Sequence, residues 1–113
     1  DVESRGLGDV YKRQVKKLSK RYKSLKQDLT ILAAELMQNP DMGTDLGNGL
    51  HKVRMSIASK GKGKRGGARV ITLIATLSKE EKEIGLHFIY DKSERENITD
   101  KELQAVLKDN GII

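Results

Sequence analysis

The chain has 113 residues, no cysteine and a formal net charge of +6, with 34% of its residues charged and only 4% aromatic. That length suits one domain with one modest core rather than two. The missing cysteines exclude a disulfide framework and thiolate chemistry, and no apolar run spans a membrane or forms a secretory h-region, so bacterial-type cytoplasmic residence is the default expectation.

From the N-terminus, residues 1–13 are expected to be a non-native or disordered segment. The chain does not start with Met, and DVESRGLGDVYKRQ resembles translated sequencing-adapter read-through, without strand or helix periodicity until about Val10. The folded domain is expected to cover residues 14–113. Tyr11, Val15, Leu18 and Tyr22 then recur at helical spacing. Ser24, with Gln27 three residues on, has the spacing of a capping box and opens a second helix. Its apolar stripe is Leu25, Leu29, Leu32 and Leu36, and Asn39-Pro40 ends it. The connection at Lys23 is so short that the helices should form an antiparallel hairpin.

Residues 40–49 (PDMGTDLGNG) read as a turn-rich connection. In LHKVRMSIA, Val53, Met55 and Ile57 alternate with Lys52, Arg54 and Ser56, the period of a strand. ARVITLIATL is a β-branched strand, SKEEKE a polar turn and IGLHFIY a further strand. Thr99 and Glu102 form a second capping box, Leu103, Val106 and Leu107 give the last helix its apolar face, and Gly111 is placed to end it. The order predicts an α+β fold: an N-terminal helical hairpin, a three- to four-stranded antiparallel sheet and a C-terminal helix.

Charge is spread unevenly. Residues 12–26 and 59–69 are wholly basic, and the acids gather between 78 and 102, where they read as solubility and helix-dipole complementarity. SKGKGKRGGAR, residues 59–69, holds five cations and four glycines. It contains a literal G-x-G-x-x-G, but a dinucleotide site needs that pattern between a strand and a helix, and here it joins two antiparallel strands. It reads equally as a solvated hairpin tip or as a basic loop which, with Lys52, Arg54 and Arg69, lines a surface for a phosphate backbone. Tyr90, Lys92 and Arg95 follow the last strand and come near Arg69 if that strand lies beside it. His51 and His87 lack ligand-spaced partners, so no metal site and no cofactor are expected; His87 keeps a possible proton-transfer role. No Ser/His/Asp or Cys/His arrangement is visible.

With these residues in place, the chain resembles the RelE/ParE superfamily of type II toxin–antitoxin toxins, closest to its HigB-like branch. The resemblance covers about Val15 to Leu107 and is carried by GLHKVRMSIASKGKGKRGGARVI (residues 49–71) and IYDKSE (residues 89–94). It implies a small microbial-ribonuclease-like domain, with an extra strand before the first helix that would fall within residues 1–13. It also implies a ribosome-dependent endoribonuclease that cleaves translated mRNA and is silenced by a cognate antitoxin.

On that resemblance Lys52, Arg54 and Arg69 are the catalytic positions: Lys52 as the base, the two arginines as clamps on the transition state. Lys60, Lys62, Lys64, Arg65, Tyr90, Lys92 and Arg95 are RNA or ribosome contacts. The chain departs from RelE proper at Ser93, aligned with an arginine, and at Thr99, aligned with a tyrosine. The alternatives are a ParE-like inhibitor of DNA gyrase and a truncated, inactive toxin that only binds its antitoxin; fold does not separate the three.

Overall fold

The computed structural model describes residues 8–113. Helix α1 (Asp9–Arg21) buries Tyr11 and Leu18, two turns apart, and α2 (Leu25–Gln38) buries Leu25, Asp28, Leu32 and Leu36. Three residues separate the helices, and they form the expected hairpin. α1 begins at Asp9, inside the segment set aside in the sequence, and Tyr11 is 4% exposed. Residues 1–7 of that segment, with the position of the extra strand, lie outside the described residues.

The sheet has four strands in the order β1-β2-β3-β4, each antiparallel to its neighbour. They are β1 (Thr44–Gly47), β2 (Leu50–Met55), β3 (Ala68–Thr76) and β4 (Lys82–Asp91), and α3 (Asp100–Asp109) follows. β1 falls within the expected turn-rich connection. Asn48 and Gly49, with φ of +55° and +85°, form the two-residue loop between the paired Gly47 and Leu50. Two successive left-handed residues match the twist of a tight hairpin, which is why Asn-Gly occurs there.

β3 is buried from Ala68 to Leu73 because the sheet is covered on both faces. On one face Val53, Met55, Ala68, Val70 and Ile89 pack against α1 and α2. On the other, Leu50, Ile71, Leu73, Phe88 and Tyr90 pack with Ile98, Val106 and Leu107 of the α3 region. A strand covered twice loses its polar alternation, as ARVITL does. The expectation of one core is corrected: a single central sheet divides the apolar interior in two.

Two local expectations meet different outcomes. Thr99 caps α3 reciprocally with Glu102, as the spacing predicts. Ser24 makes no side-chain cap on α2; its hydroxyl donates to Asp28 Oδ2 and contacts Ser59 Oγ, drawn away by the segment after β2. Among the described residues no helix is long and apolar enough to cross a membrane.

Ile71 is fully buried at the centre of the α3-side cluster. Ile71→Ala should therefore cost about 2–5 kcal/mol, measured as a lower urea midpoint with an unchanged slope.

Candidate functional site

Alternation along the strands places Lys52 and Arg54 of β2, Arg69 of β3 and Tyr90 of β4 on the α3 side of the sheet. The register sets Arg54 opposite Arg69 and Arg69 opposite Tyr90, with Lys52, Ile71 and Phe88 in the adjoining row. Two arginines directly across an antiparallel pair repel each other. The fold accommodates them asymmetrically: Arg54 is exposed, whereas Arg69 is 7% exposed and its guanidinium donates to the carbonyls of Lys64 (2.9 Å), Ala68 (3.1 Å) and Arg65 (3.2 Å). Burial, then the nearby Arg54, lowers the affinity of Arg69 for its proton. Burial likewise raises the Tyr90 phenol above its ordinary value, against the pull of Arg69 and Arg95.

Arg95 lies over the rings of Phe88 and Tyr90, 5.4 Å from each centroid. It is tied to the Glu102 carboxylate and donates to the backbone carbonyl of Asn97. The hydrogen bond from Arg95, outweighing burial, holds the Glu102 carboxyl down at about 2. Asn97 Oδ1 accepts from Lys52 Nζ at 3.2 Å. Among the described residues, neither Lys52 nor Arg54 has an ion pair with a carboxylate.

The glycine–lysine segment is folded down at both ends. Residues 58–60 form one 3-10 turn whose first N–H, at Ala58, donates to the buried Asp28 carboxylate. Lys60 reaches across to Asp91, with Nζ 2.5 Å from Oδ1, and to Ser93 Oγ at 3.0 Å. Asp91 also receives the Tyr22 hydroxyl, the Ser93 N–H and the Ser93 hydroxyl. Burial alone would raise the Asp91 carboxyl; the hydrogen bonds from Lys60, Tyr22 and Ser93 together outweigh it and hold the group well below the usual carboxylate range. At the far end Gly67 lies so close to β2 that a Cβ would collide with the Met55 carbonyl oxygen.

The sequence-predicted residues therefore fall into three groups. Lys52, Arg54, Arg69, Tyr90 and Arg95 share one face of the sheet. Lys62, Lys64 and Arg65 are exposed on the loop, with Lys64 3.8 Å from Glu35. Lys60 and Lys92 have intramolecular partners: Lys60 on Asp91 at the helical-hairpin side, Lys92 on the Glu96 carbonyl at 2.7 Å. His87 is the extra residue of a bulge in β4 and lies against Gly8 and Asn110, away from the arginine row. His51 is buried opposite Thr72.

Asp28, Asp91, Asn97 and Glu102 escaped the sequence reading as site-building residues. The acid-rich stretch 78–102 reads as solvating, but Asp91 within it is 1% exposed, which corrects that expectation. Its position at the end of the apolar strand GLHFIYD, in phase with Ile89, was the available signal.

A family model described as the RelE toxin of the RelE/RelB toxin–antitoxin system matches residues 9–111. The chain belongs to that family.

The two depressed carboxyls fix how stability depends on pH. Each binds its proton more weakly folded than unfolded, so its stabilisation is complete above the unfolded value and is lost as pH falls through the folded one. For Glu102 that window runs from 4.5 down to about 2, and Asp91 loses its contribution at the acid end. Thermal unfolding followed against pH should show Tm falling through this window, with a shallower slope in Glu102→Gln. Asp91→Asn leaves the Lys60 ammonium, whose side chain is 10% exposed, without its counter-charge. It should lose roughly 3–5 kcal/mol at pH 7.

Proposed function

We propose that this RelE-family toxin is an endoribonuclease that cleaves translated mRNA on the ribosome, in the cytoplasm. As a toxin of a toxin–antitoxin system it has a cognate antitoxin as partner; ribosome and mRNA are the further partners of this reading. The observation that carries it is the arginine pair across β2 and β3, with Lys52 beside it and no carboxylate paired to Lys52 or Arg54 among the described residues. Cations set next to one another at a structural cost, and left unneutralised, suit a ligand that brings its own negative charge.

In the proposed reaction the 2′-hydroxyl attacks the adjacent phosphorus to form a 2′,3′-cyclic phosphate, and the 5′-oxygen leaves, taking a proton from water as it departs. The Lys52 ammonium first gives a proton to solvent, and the resulting amine accepts the 2′ proton. Arg54 meets the charge that builds on the non-bridging oxygens, and donors fixed before the reaction lower its barrier without reorganising. Arg69 has a double role: it adds its charge to the same row and fastens the loop that presents Lys62, Lys64 and Arg65. Arg95, spread over Phe88 and Tyr90, offers its outer face to an unstacked base.

Because Arg69→Ala would release the loop as well as remove a charge, Arg54→Ala is the cleaner probe. The chain would be induced in bacteria and mRNA 5′ ends mapped. Cuts inside translated codons are expected, reduced on the order of 10²-fold in a folded, expressed Arg54→Ala variant. Growth arrest without such cuts, accompanied by loss of supercoiling activity, would replace this reading with gyrase inhibition; no arrest at all would indicate an inactive toxin.

A further inference from the structure

Asn97 is exposed and lies in the connection between β4 and α3, yet three donors converge on its side-chain oxygen. The Ile98 N–H reaches Oδ1 at 2.9 Å, Lys52 Nζ at 3.2 Å and the Tyr90 hydroxyl at 3.4 Å. An ammonium and a backbone N–H can only donate, so the atom that receives them must be the amide oxygen. The amide orientation is thus fixed by its partners. The backbone on either side is fixed as well: Arg95 grips the Asn97 carbonyl through Nε at 3.2 Å and one terminal nitrogen at 3.1 Å. Arg95 is itself held by Glu102, whose carboxylate also accepts from the Thr99 N–H at 2.8 Å.

We propose that Asn97 is a positioning residue for Lys52 and Tyr90, holding the Lys52 ammonium in place beside the arginine row before any substrate arrives. A lysine on a flexible four-carbon stem gives up rotamer freedom when it is fixed. An acceptor already anchored to the framework meets that cost during folding instead of during reaction. Lys52 has no carboxylate partner among the described residues. A neutral amide therefore holds the Lys52 nitrogen in place without locking it in the charged form, as a carboxylate at the same place would, and it accepts from amine and ammonium alike. Tyr90 is brought to the same oxygen from the neighbouring strand row, so one side chain sets the spacing between two predicted site residues. The inference rests on reading Lys52 as part of the reacting site.

The test has an arm that does not depend on activity. The ¹⁵N signals of lysine ammonium groups would be compared in the wild-type chain, Asn97→Ala and Asn97→Asp, with the backbone spectrum as the check on folding. In the wild type the Lys52 ammonium should be ordered and slow to exchange, unlike that of the exposed Lys62. It should become as mobile as Lys62 in Asn97→Ala and remain ordered in Asn97→Asp, which keeps an acceptor oxygen. A wild-type Lys52 ammonium as mobile as that of Lys62 would overturn the proposal, whatever the RNA assay shows. In the second arm, ribosome-dependent cleavage by Asn97→Ala should lose tenfold to about 10²-fold in kcat with little change in KM, the signature of misplacement rather than weaker binding. Unchanged kcat would also overturn it. Absence of cleavage by the wild type would instead reject the nuclease reading and leave the ammonium measurement to decide the role of Asn97.

Discussion

A carboxylate enclosed by protein is stable only if donors surround it, and Asp91 sets that condition for the whole domain. Its side chain is fully enclosed at the end of β4. The donors come from three parts of the chain: Tyr22 between the helices, Lys60 from the turn after β2, and Ser93 just beyond β4. Arg21 stands 3.7 Å away. The helical hairpin, the basic loop and the last strand must all arrive together for the charge to be tolerated. The requirement explains why a glycine-rich loop is held near its base, and why Lys60 is bound to a buried carboxylate while Lys62, Lys64 and Arg65 stay exposed.

The two apolar clusters then determine where the cationic row lies. On the α3 side the Lys52–Ile71–Phe88 row still carries apolar side chains, whereas the next row is Arg54–Arg69–Tyr90. The sheet passes from core to charge within one pair of residues. Burial of Arg69 and Tyr90 in that last row follows from their place in the sheet, and the exposure of Arg54 from its place beside the loop. A site at the boundary between a packed interior and solvent gains from both: the interior makes the positions rigid, and the boundary leaves the charges reachable.

Much of the architecture was legible in the sequence because its signals are local. The leucine spacing of α2, the reciprocal Thr99–Glu102 cap and the alternation around Val53 each reflect a preference settled within a few residues. β1 was also signalled, by Asn48-Gly49 between Leu46 and Leu50, but a density of turn residues obscured it. Ser24 misled because a hydroxyl at a helix start has several partners in reach, and Asp28 and Ser59 compete with the helix for it. Lys52, Arg54 and Arg69 were found as a group because β alternation and the cation-rich run place them. Asn97 and Asp91 were not, since nothing in their immediate neighbours says that a lysine 45 residues away, or a tyrosine 69 residues away, will come to them. The bulge that turns His87 aside is likewise a product of pairing between strands, invisible to alternation along one.

Arg69 fastens the loop through the carbonyls of Lys64 and Arg65, groups that every amino acid carries. Asp28 does the same at the other end through the N–H of Ala58. The framework thus reads the loop's main chain and is almost indifferent to the side chains at 62, 64 and 65. Substitution at those positions changes the charge and shape of the exposed loop with little penalty to folding. The domain separates a main chain that the fold must hold from side chains that it leaves free to vary.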